Sequence, residues 1–533
     1  MKKIVQNSLI ALLLTWGGIV PSHAQSAVEA LKLSETELYG TARFVGMGGA
    51  FTSLGGDVST LTQNPAGIGV FRNSDLSATL NISMQSSQVD NLPGNMVNRK
   101  TRALFDNLGL VGTMRLGRKS MLENINFGVA YNRKQSFSRT SRINYARLNG
   151  SLTNAIAGLC NTYPDDLLVD NGAYENPDVF WLDALAYDNF LITNTSGNRY
   201  EGMWNDRMTA GSAFLDMHES GYNSEYSFNF GGNISNRVFF GIGIGITDLK
   251  YSLESDYQES LDNTQGMTEI EGMEYPIMAS NYSLYNELLV KGTGVNVKFG
   301  LIAYITDSWR IGAAVHTPTF YSFTRTAYGD ILNKYIYADQ HGEVSAESNS
   351  YTPVSTADFR LRSPMSALFG TSYMIGSRAI ISADYELTVN KRMKMLYADG
   401  YEYADNEDFR TYLKNSHTIR VGAEFRLLPQ LSLRAGYAHT TTPASDEWLD
   451  NRTYIPTAGT LPSYTLNRSK QIYSTGIGYR FGAVYLDAAY QHRRNICNVM
   501  AYSAIPDLQI AGAENARLIA KNNNIILTFG VKF

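Results

Sequence analysis

From residue 71 onward the chain repeats one pattern: apolar and polar residues alternate with a period of two, in segments much longer than the roughly five or six residues usual in soluble strands. In the last segment Ile525, Leu527, Phe529, Val531 and Phe533 share one face, and Asn524, Thr528, Gly530 and Lys532 fall on the other. The same register sets Ile419, Val421, Ala423, Phe425 and Leu427 against Arg420, Gly422, Glu424 and Arg426, and Phe240, Ile242, Ile244 and Ile246 against three glycines. One face suits lipid and the other water, which is the pattern of a closed transmembrane barrel. A soluble β-sandwich or β-helix also alternates, but its strands are shorter.

Fourteen such segments are expected, near 71–87, 108–117, 125–139, 222–234, 236–257, 286–305, 308–325, 357–375, 377–392, 417–428, 431–443, 470–481, 482–495 and 522–533. Their links alternate in length. Short links fall near 117–124, 235–236, 306–307, 376, 429–430 and 481–482, and long ones near 88–107, 140–221, 258–285, 326–356, 393–416, 444–469 and 496–521. An outer-membrane barrel with short periplasmic turns and long extracellular loops has this rhythm, and its even strand number places both termini in the periplasm. The fold class is therefore all-β: a 14-stranded antiparallel transmembrane β-barrel with a small N-terminal hatch.

Composition agrees. The 533 residues carry a net charge of −4, only 18% are charged and 12% are aromatic, including 34 Tyr. That leaves no field for nucleic acid and argues against disorder. Lys2 and Lys3, an apolar run from Leu9 to Val20, and Ser22-His23-Ala24 read as a secretory signal peptide over residues 1–24. No later segment has the length of uninterrupted apolar sequence that a membrane helix needs. Cys160 and Cys497 are far apart in sequence; a disulfide between them is possible in an exported protein, but two thiols without His or Cys spacing make no metal site. In the longest link, residues 177–187 form either a short amphipathic helix or a loop folded on its own apolar side chains.

Residues 25–70 do not alternate. They carry a short helical turn and then a glycine-rich stretch, a length that suits a plug for a barrel of this width, with the barrel proper at 71–533. Within this stretch, Gly40-Thr-Ala-Arg43-Phe-Val-Gly46-Met47-Gly48-Gly49-Ala50-Phe51, then Asp57, then Asn64-Pro65-Ala66-Gly67-Ile68, resembles the N-terminal hatch of FadL-type outer-membrane transporters. The resemblance implies passive, hatch-gated uptake of long-chain fatty acids or other hydrophobic or amphipathic compounds. Capture at the loops, descent into a lumenal pocket, a hatch rearrangement and sideways exit through a gap in the wall are implied with it. By the same resemblance Asn64, Pro65, Ala66 and Gly67 take the hatch-tip role, while their residue types alone fit a tight entry turn into the first strand equally well. A wall gap needs a kinked strand, for which Gly128, Gly231, Gly232 and Pro364 are candidate places. Phe533 resembles the terminal aromatic residue read by the barrel assembly machinery. The expected partners are a hydrophobic or amphipathic small molecule and outer-membrane lipid, and the expected state is a monomer.

The inward register gathers Lys298, Arg310, His316, Arg360, Arg362, Asp384, Glu386, Arg420, Glu424, Arg426, Arg434, Arg480 and Asp487. Arg420, Arg426 and Arg434 lie on neighbouring strands and are the candidates to anchor a substrate carboxylate. A charge network that holds the hatch is the favoured reading for any one of them. No nucleophile elbow or metal-ligand spacing is present, so neither an enzyme nor a cofactor is expected. The alternatives are a haem receptor using the loop histidines His218 or His341, and an accessory barrel of a secretion system whose loops bind a protein. A continuous apolar path through the lumen would favour transport over either. A third class, a passive polar porin, would conduct ions once its plug is displaced. A TonB-dependent receptor would need a far larger plug.

Overall fold

The computed structural model describes residues 27–94, 97–116, 121–163, 168, 173–176, 179–195, 199–404 and 406–533; the expected signal peptide lies outside them. The N-terminal part holds short helices α1 (Ala27–Ser34), α2 (Ala42–Gly46) and α3 (Thr60–Gln63), and a 3-10 helix (Pro65–Val70). Fourteen antiparallel strands follow. They are β1 (Asp75–Val89), β2 (Asn98–Arg115), β3 (Leu122–Ser136, continued by Arg139–Tyr145), β4 (Ala210–Ile234), β5 (Val238–Asp262), β6 (Met273–Tyr304) and β7 (Trp309–His316 with Phe320–Asp339). The rest are β8 (Gly342–Tyr351, Ser355–Arg362 and Met365–Ile375), β9 (Ala379–Val389 with Lys394–Tyr397), β10 (Ser416–Arg426), β11 (Leu431–Thr441), β12 (Tyr464–Phe481), β13 (Val484–Met500) and β14 (Ala516–Lys532). β14 pairs back onto β1 from Asp75↔Lys532 to Val89↔Leu518, so the sheet closes and leaves no edge.

The outward stripe is apolar where the barrel crosses the membrane. Leu80 is 60% exposed, Phe369 57% and Phe529 54%, and Ile82, Ile244, Ile419 and Ile525 share that face. Such a continuous exposed belt is costly in water and favourable in hydrocarbon. Trp309, Tyr373, Phe481 and Phe533 border it near the short turns, as interfacial aromatics do.

Strands continue where loops are expected. The stretches 258–285 and 326–356 are mostly the projecting hairpins of β5–β6 and β7–β8, and β4 begins at Ala210 rather than near 222. β6 runs 32 residues, about three times what a membrane crossing needs. The outward alternation fades there because both neighbours of the outer face are aqueous: β5 shows Glu254, Asp256 and Gln258 outward while Tyr251, Leu253 and Tyr257 stay buried inside.

The two ends of the described chain lie at different levels of the barrel. Ser74 and Phe533 exchange backbone hydrogen bonds of 3.0 Å on the short-turn rim. Ala27, the first described residue, instead belongs to an apolar cluster at the long-hairpin end, with Tyr251, Phe323, Phe359, Phe409 and Trp448.

The longest connection folds as a cap. It contains α4 (Leu152–Cys160), α5 (Trp181–Asp188) and a small hairpin, Ile192–Thr195 with Arg199–Gly202. The helix reading of 177–187 therefore holds from Trp181; Pro177 and Asp178 lie outside the described residues. The backbone N–H of Leu152 donates to Glu259 of β5 at 3.0 Å, and Asn333 of β7 donates to the Asn189 carbonyl at 2.8 Å, which ties the cap to the barrel wall. Cys160 in α4 and Cys497 in β13 are both buried and unbridged.

Asp183 of α5 is buried, and its carboxyl is pushed up to about 7, mainly by that burial, against the opposing effect of hydrogen bonds with Tyr163 and Cys160. A carboxyl raised on folding carries no penalty below its unfolded value near 4 and the full penalty above its folded one. The cap is accordingly expected to lose stability as pH rises from about 4 to about 7 and to change little beyond. Protection of the 181–188 amides, corrected for intrinsic exchange, should show this slope, and Asp183→Asn should abolish it; a pH-independent wild type would contradict it.

Candidate functional site

The hatch fills the barrel at one level, and the wall is shaped to receive it. Ten of the fourteen strands place a glycine against it: Gly109, Gly128, Gly231, Gly241, Gly300, Gly312, Gly370, Gly422, Gly436 and Gly476. Cross-strand pairing sets Gly231 opposite Gly241, Gly241 opposite Gly300, Gly312 opposite Gly370, and Gly422 opposite Gly436. A Cβ at Gly241 would stand 2.2 Å from the Pro65 carbonyl oxygen, and one at Gly436 would stand 2.1 Å from the Gly48 nitrogen. At Gly241, Gly300, Gly312, Gly422 and Gly436 wall backbone therefore meets hatch backbone and no larger residue fits, while Gly109, Gly128 and Gly231 receive the side chains of Val58 and Ile68.

Polar side chains complete the seat. Asn124 and Asn126 donate to the Phe71 carbonyl at 3.1 and 3.0 Å, and Ala42 N–H donates to Thr528 at 2.7 Å. His316 Nε2 donates to the Gln63 carbonyl at 2.7 Å, and Thr52 N–H donates to Asp384 at 2.8 Å. Asn64 caps the 3-10 helix through Ala66 N–H at 3.0 Å and donates to the Thr52 carbonyl at 2.6 Å, while Pro65 occupies the first helical turn. Asn64, Pro65, Ala66 and Gly67 are all buried in this turn, immediately before the first strand.

The candidate arginines separate. Arg434 is buried between Glu424, at 2.7 Å, and Asp487, at 2.5 Å, and Glu424 also takes Arg43 of the hatch at 3.0 Å. Removing one member of such a buried set typically costs about 3–5 kcal/mol, so Arg434 is committed to holding the hatch. Arg426 is exposed on the short-turn side, away from the cavity described below. Arg420 pairs with Glu386 at 2.5 Å through Nη2, while its buried Nη1 has no hydrogen-bond partner among the described residues. Lys298 is paired with Glu225, which also takes Lys134 at 3.3 Å. Arg360 faces outward, because Phe359 and Leu361 take the inward positions on that part of β8; the breaks at 352–354 and Ser363-Pro364 interrupt the register.

Above the hatch body, residues 27–39 run through the lumen as an arm held by ions. Glu29 faces Arg325 at 3.6 Å, Lys32 pairs with Glu219 at 2.5 Å, Glu35 with Lys470 at 2.9 Å, and Glu37 with Arg493. Burial pushes the Glu29 carboxyl up despite Arg325. Burial acts on Glu35 in the same sense, but Lys470, Lys32 and the hydrogen bonds of Lys470 and Asn467 hold it below the usual carboxylate range. A cavity of about 270 Å³ surrounds the arm, bordered by Lys298, His316, Glu386, Arg420, Arg493 and Thr418. Its lining is mixed: the charged groups stand beside apolar surface from Leu31, Leu38, Phe44, Leu368 and Ile472.

The wall is incomplete on one side. β2 pairs with β3 only from Asn107↔Asn132 to Arg115↔Asn124, and from Asn98 to Asp106 its ladder is with β1 alone. β3 carries a bulge between Arg133 and Gln135 and then follows β4. The Lys134 carbonyl at the bulge accepts the Glu37 N–H of the arm at 2.8 Å, so the arm and the bent strand are joined directly. A second cavity, about 260 Å³, occupies the opening between Gln85, Ser87, Asn98 and Lys100 on one side and Gln135, Ser136 and Arg139 on the other. It shares Glu35, Glu37, Asn467 and Arg493 with the first. None of the four candidate kink positions makes this bend: Gly128 and Gly231 pack on Ile68 of the hatch, Gly232 lies against Gly69, and Pro364 interrupts β8 where both flanking segments still pair with β9.

The solved structure of a Pseudomonas aeruginosa FadL homologue superposes on 94% of this chain and 100% of its own, with a TM-score of 0.55 and 14% identity. The chain has the FadL fold. The Pseudomonas putida toluene transporter TodX covers 94% of this chain and 99% of its own at a TM-score of 0.45 and 12% identity, and the Ralstonia pickettii toluene transporter TbuX covers 94% and 100% at 0.43 and 12%. No family model matches the sequence, and no curated protein matches it. Within the FadL fold of this chain, no group of three or more His, Cys, Asp or Glu is placed to hold a metal among the described residues. His218 bonds to Thr140 and Asp216 on the outer face, and His341 is 90% exposed at a hairpin tip.

The glycine seat has a measurable consequence. Gly241→Ala with Gly436→Ala puts a methyl into the hatch backbone from two sides and is expected to raise ion conductance in planar bilayers severalfold while the barrel remains folded. Gly112→Ala, whose Cβ would meet nothing closer than 4.0 Å, should not change it. Equal conductance in all three proteins would show that the seat does not hold the hatch shut.

Proposed function

We propose that this protein is an outer-membrane channel, and not an enzyme, for passive uptake of amphipathic small molecules that combine an apolar chain with an acidic head. The observation that carries the reading is the opening between β2 and β3, which lies above a seated hatch and leads into the cavity that holds Arg420. A molecule entering past the apolar cluster around α1 meets the cavity around the arm next. There a carboxylate can take the unused Arg420 Nη1, with Lys298 and Arg493 nearby. The head is thus fixed by charge while the chain stays on apolar surface, the division of labour expected of a small-molecule site.

The hatch gates this route through its arm. Displacing residues 27–39 separates four ion pairs and the Glu37–Lys134 backbone bond, and so frees both the cavity and the bent strand at once. Asn64, Pro65, Ala66 and Gly67 serve as the fixed pivot, clamped by Gly241 and Gly300. Of the three candidate arginines, Arg420 binds substrate in this reading, and Arg434 holds the hatch. The C-terminal Phe533, hydrogen-bonded to Ser74 at the rim, is free at its side chain for recognition by the assembly machinery.

Oleate and its uncharged analogue oleyl alcohol test the site. Arg420→Gln is expected to weaken oleate binding about tenfold, or ~1.4 kcal/mol, the scale of one charge-assisted hydrogen bond, and to leave oleyl alcohol unchanged. Calorimetry on the detergent-solubilised barrel measures both. Equal loss for the two ligands would contradict the carboxylate site, and absence of oleate binding to the wild type would contradict the functional reading itself.

A further inference from the structure

The outer surface beside the wall opening carries a row of cations along one rung of the sheet. Ser86 of β1 stands opposite Arg99 of β2 on one side and Lys521 of β14 on the other, and Lys521 stands opposite Arg494 of β13. One rung thus reads Arg99, Ser86, Lys521, Arg494 across four adjacent strands. Their register faces outward, since the alternate positions Ser87, Asn522 and Arg493 are buried inside. Neighbouring strands lie about 4.8 Å apart, so the three cations fall within roughly 15 Å.

The height of this rung is fixed by the lipid-facing belt below it. Two outward rungs down, the same four strands present Ala103, Ile82, Ile525 and Tyr490, and the next presents Phe105, Leu80, Leu527 and Ala488. Between belt and cations lies one uncharged polar rung, Thr101, Met84, Asn523 and His492. At about 3.3 Å per residue on a tilted strand, four residues place the cations roughly 10 Å beyond the last apolar row, at the level of lipid head groups. Among the described residues none of the three cations has a carboxylate partner, and the rungs on either side present no carboxylate on these strands.

The opposite wall differs. There Lys250 and Lys291 also face each other, but Asp248 precedes them along β5, and Glu254 and Glu287 stand opposite one another beyond. Local acids compensate those lysines. On the β13–β14–β1–β2 face the nearest outward carboxylate, Asp90, is held by Arg517 at 2.7 Å, so the charge of the rung is left for an external partner.

We propose that Arg99, Lys521 and Arg494 form a binding site for the phosphate groups of a membrane glycolipid in the leaflet on the long-hairpin side. The occupant follows from continuity with the apolar belt and from charge: acyl chains lie against Leu80, Ile82, Ile525 and Tyr490, and the phosphates reach the cationic rung above. Arginine suits this role because its planar donor fork matches phosphate oxygens. Ser86, Arg99 and Lys521 also border the cavity of the β2–β3 opening, so the site forms its outer rim.

The test is native mass spectrometry of the full folded barrel in detergent, titrated with bis-phosphorylated lipid A and with its enzymatically dephosphorylated form. The wild type is expected to retain the phosphorylated lipid at least about tenfold more tightly than the dephosphorylated one. Arg99→Gln, Arg494→Gln and Lys521→Gln combined should remove that preference, whereas Lys250→Gln with Lys291→Gln should keep it. Heat-dependent gel mobility verifies that each variant is folded. Equal binding of both lipids to the wild type, persistence of the preference in the triple variant, or its loss in the Lys250 and Lys291 control would each overturn the proposal.

Discussion

Close approach between the backbone of the hatch and the backbone of the wall sets the geometry of this lumen. A 14-stranded barrel is too wide for its own side chains to fill, and here a short N-terminal chain does the filling. The glycine band lets that chain touch the strands without intervening Cβ atoms, so the occlusion is dense and depends on few side chains. Buried ions then lock it: Arg43 shares Glu424 with Arg434, which in turn holds Asp487. A packed seat of this kind is bistable at best and does not deform gradually.

The part of the hatch most able to move is therefore the arm. Its ties are mainly side-chain ion pairs and hydrogen bonds, whereas the hatch body is clamped backbone to backbone at Gly48 and Pro65. The bond from Glu37 N–H to the Lys134 carbonyl couples that arm to the bent strand. One rearrangement can then change the cavity and the lateral opening together, with the hatch body left in place.

Much of the architecture was legible in the sequence. Period-two alternation located all fourteen strands, and even the short turns at Ser235-Asn236 and Gly376 were placed by pattern alone. The hairpin extensions were not, because beyond the membrane the outer face of β5 and β6 turns polar and the alternation that marks lipid contact disappears. The seat was half visible: Gly241, Gly243 and Gly245 stood out as an inward row, but which backbone they touch is a long-range fact that no local pattern contains. The bulge at Lys134 left no glycine or proline to mark it. The arm did leave a signal, the charges Glu29, Lys32, Glu35 and Glu37, each answered by an opposite charge on a different strand. Arg360 was misplaced because breaks in β8 shift its register.

The central claim is that the proposed uptake proceeds while the hatch body stays seated. Gly46 and Ala489 offer a direct measurement, since their Cβ positions are 3.7 Å apart, within the range of a disulfide. With the two native cysteines replaced by alanine, Gly46→Cys and Ala489→Cys can be oxidised to staple α2 to β13. Oleate uptake into cells carrying this variant is expected to be the same with the staple closed or reduced. Uptake that stops on oxidation and returns with dithiothreitol would contradict the account and show that the hatch body itself must move.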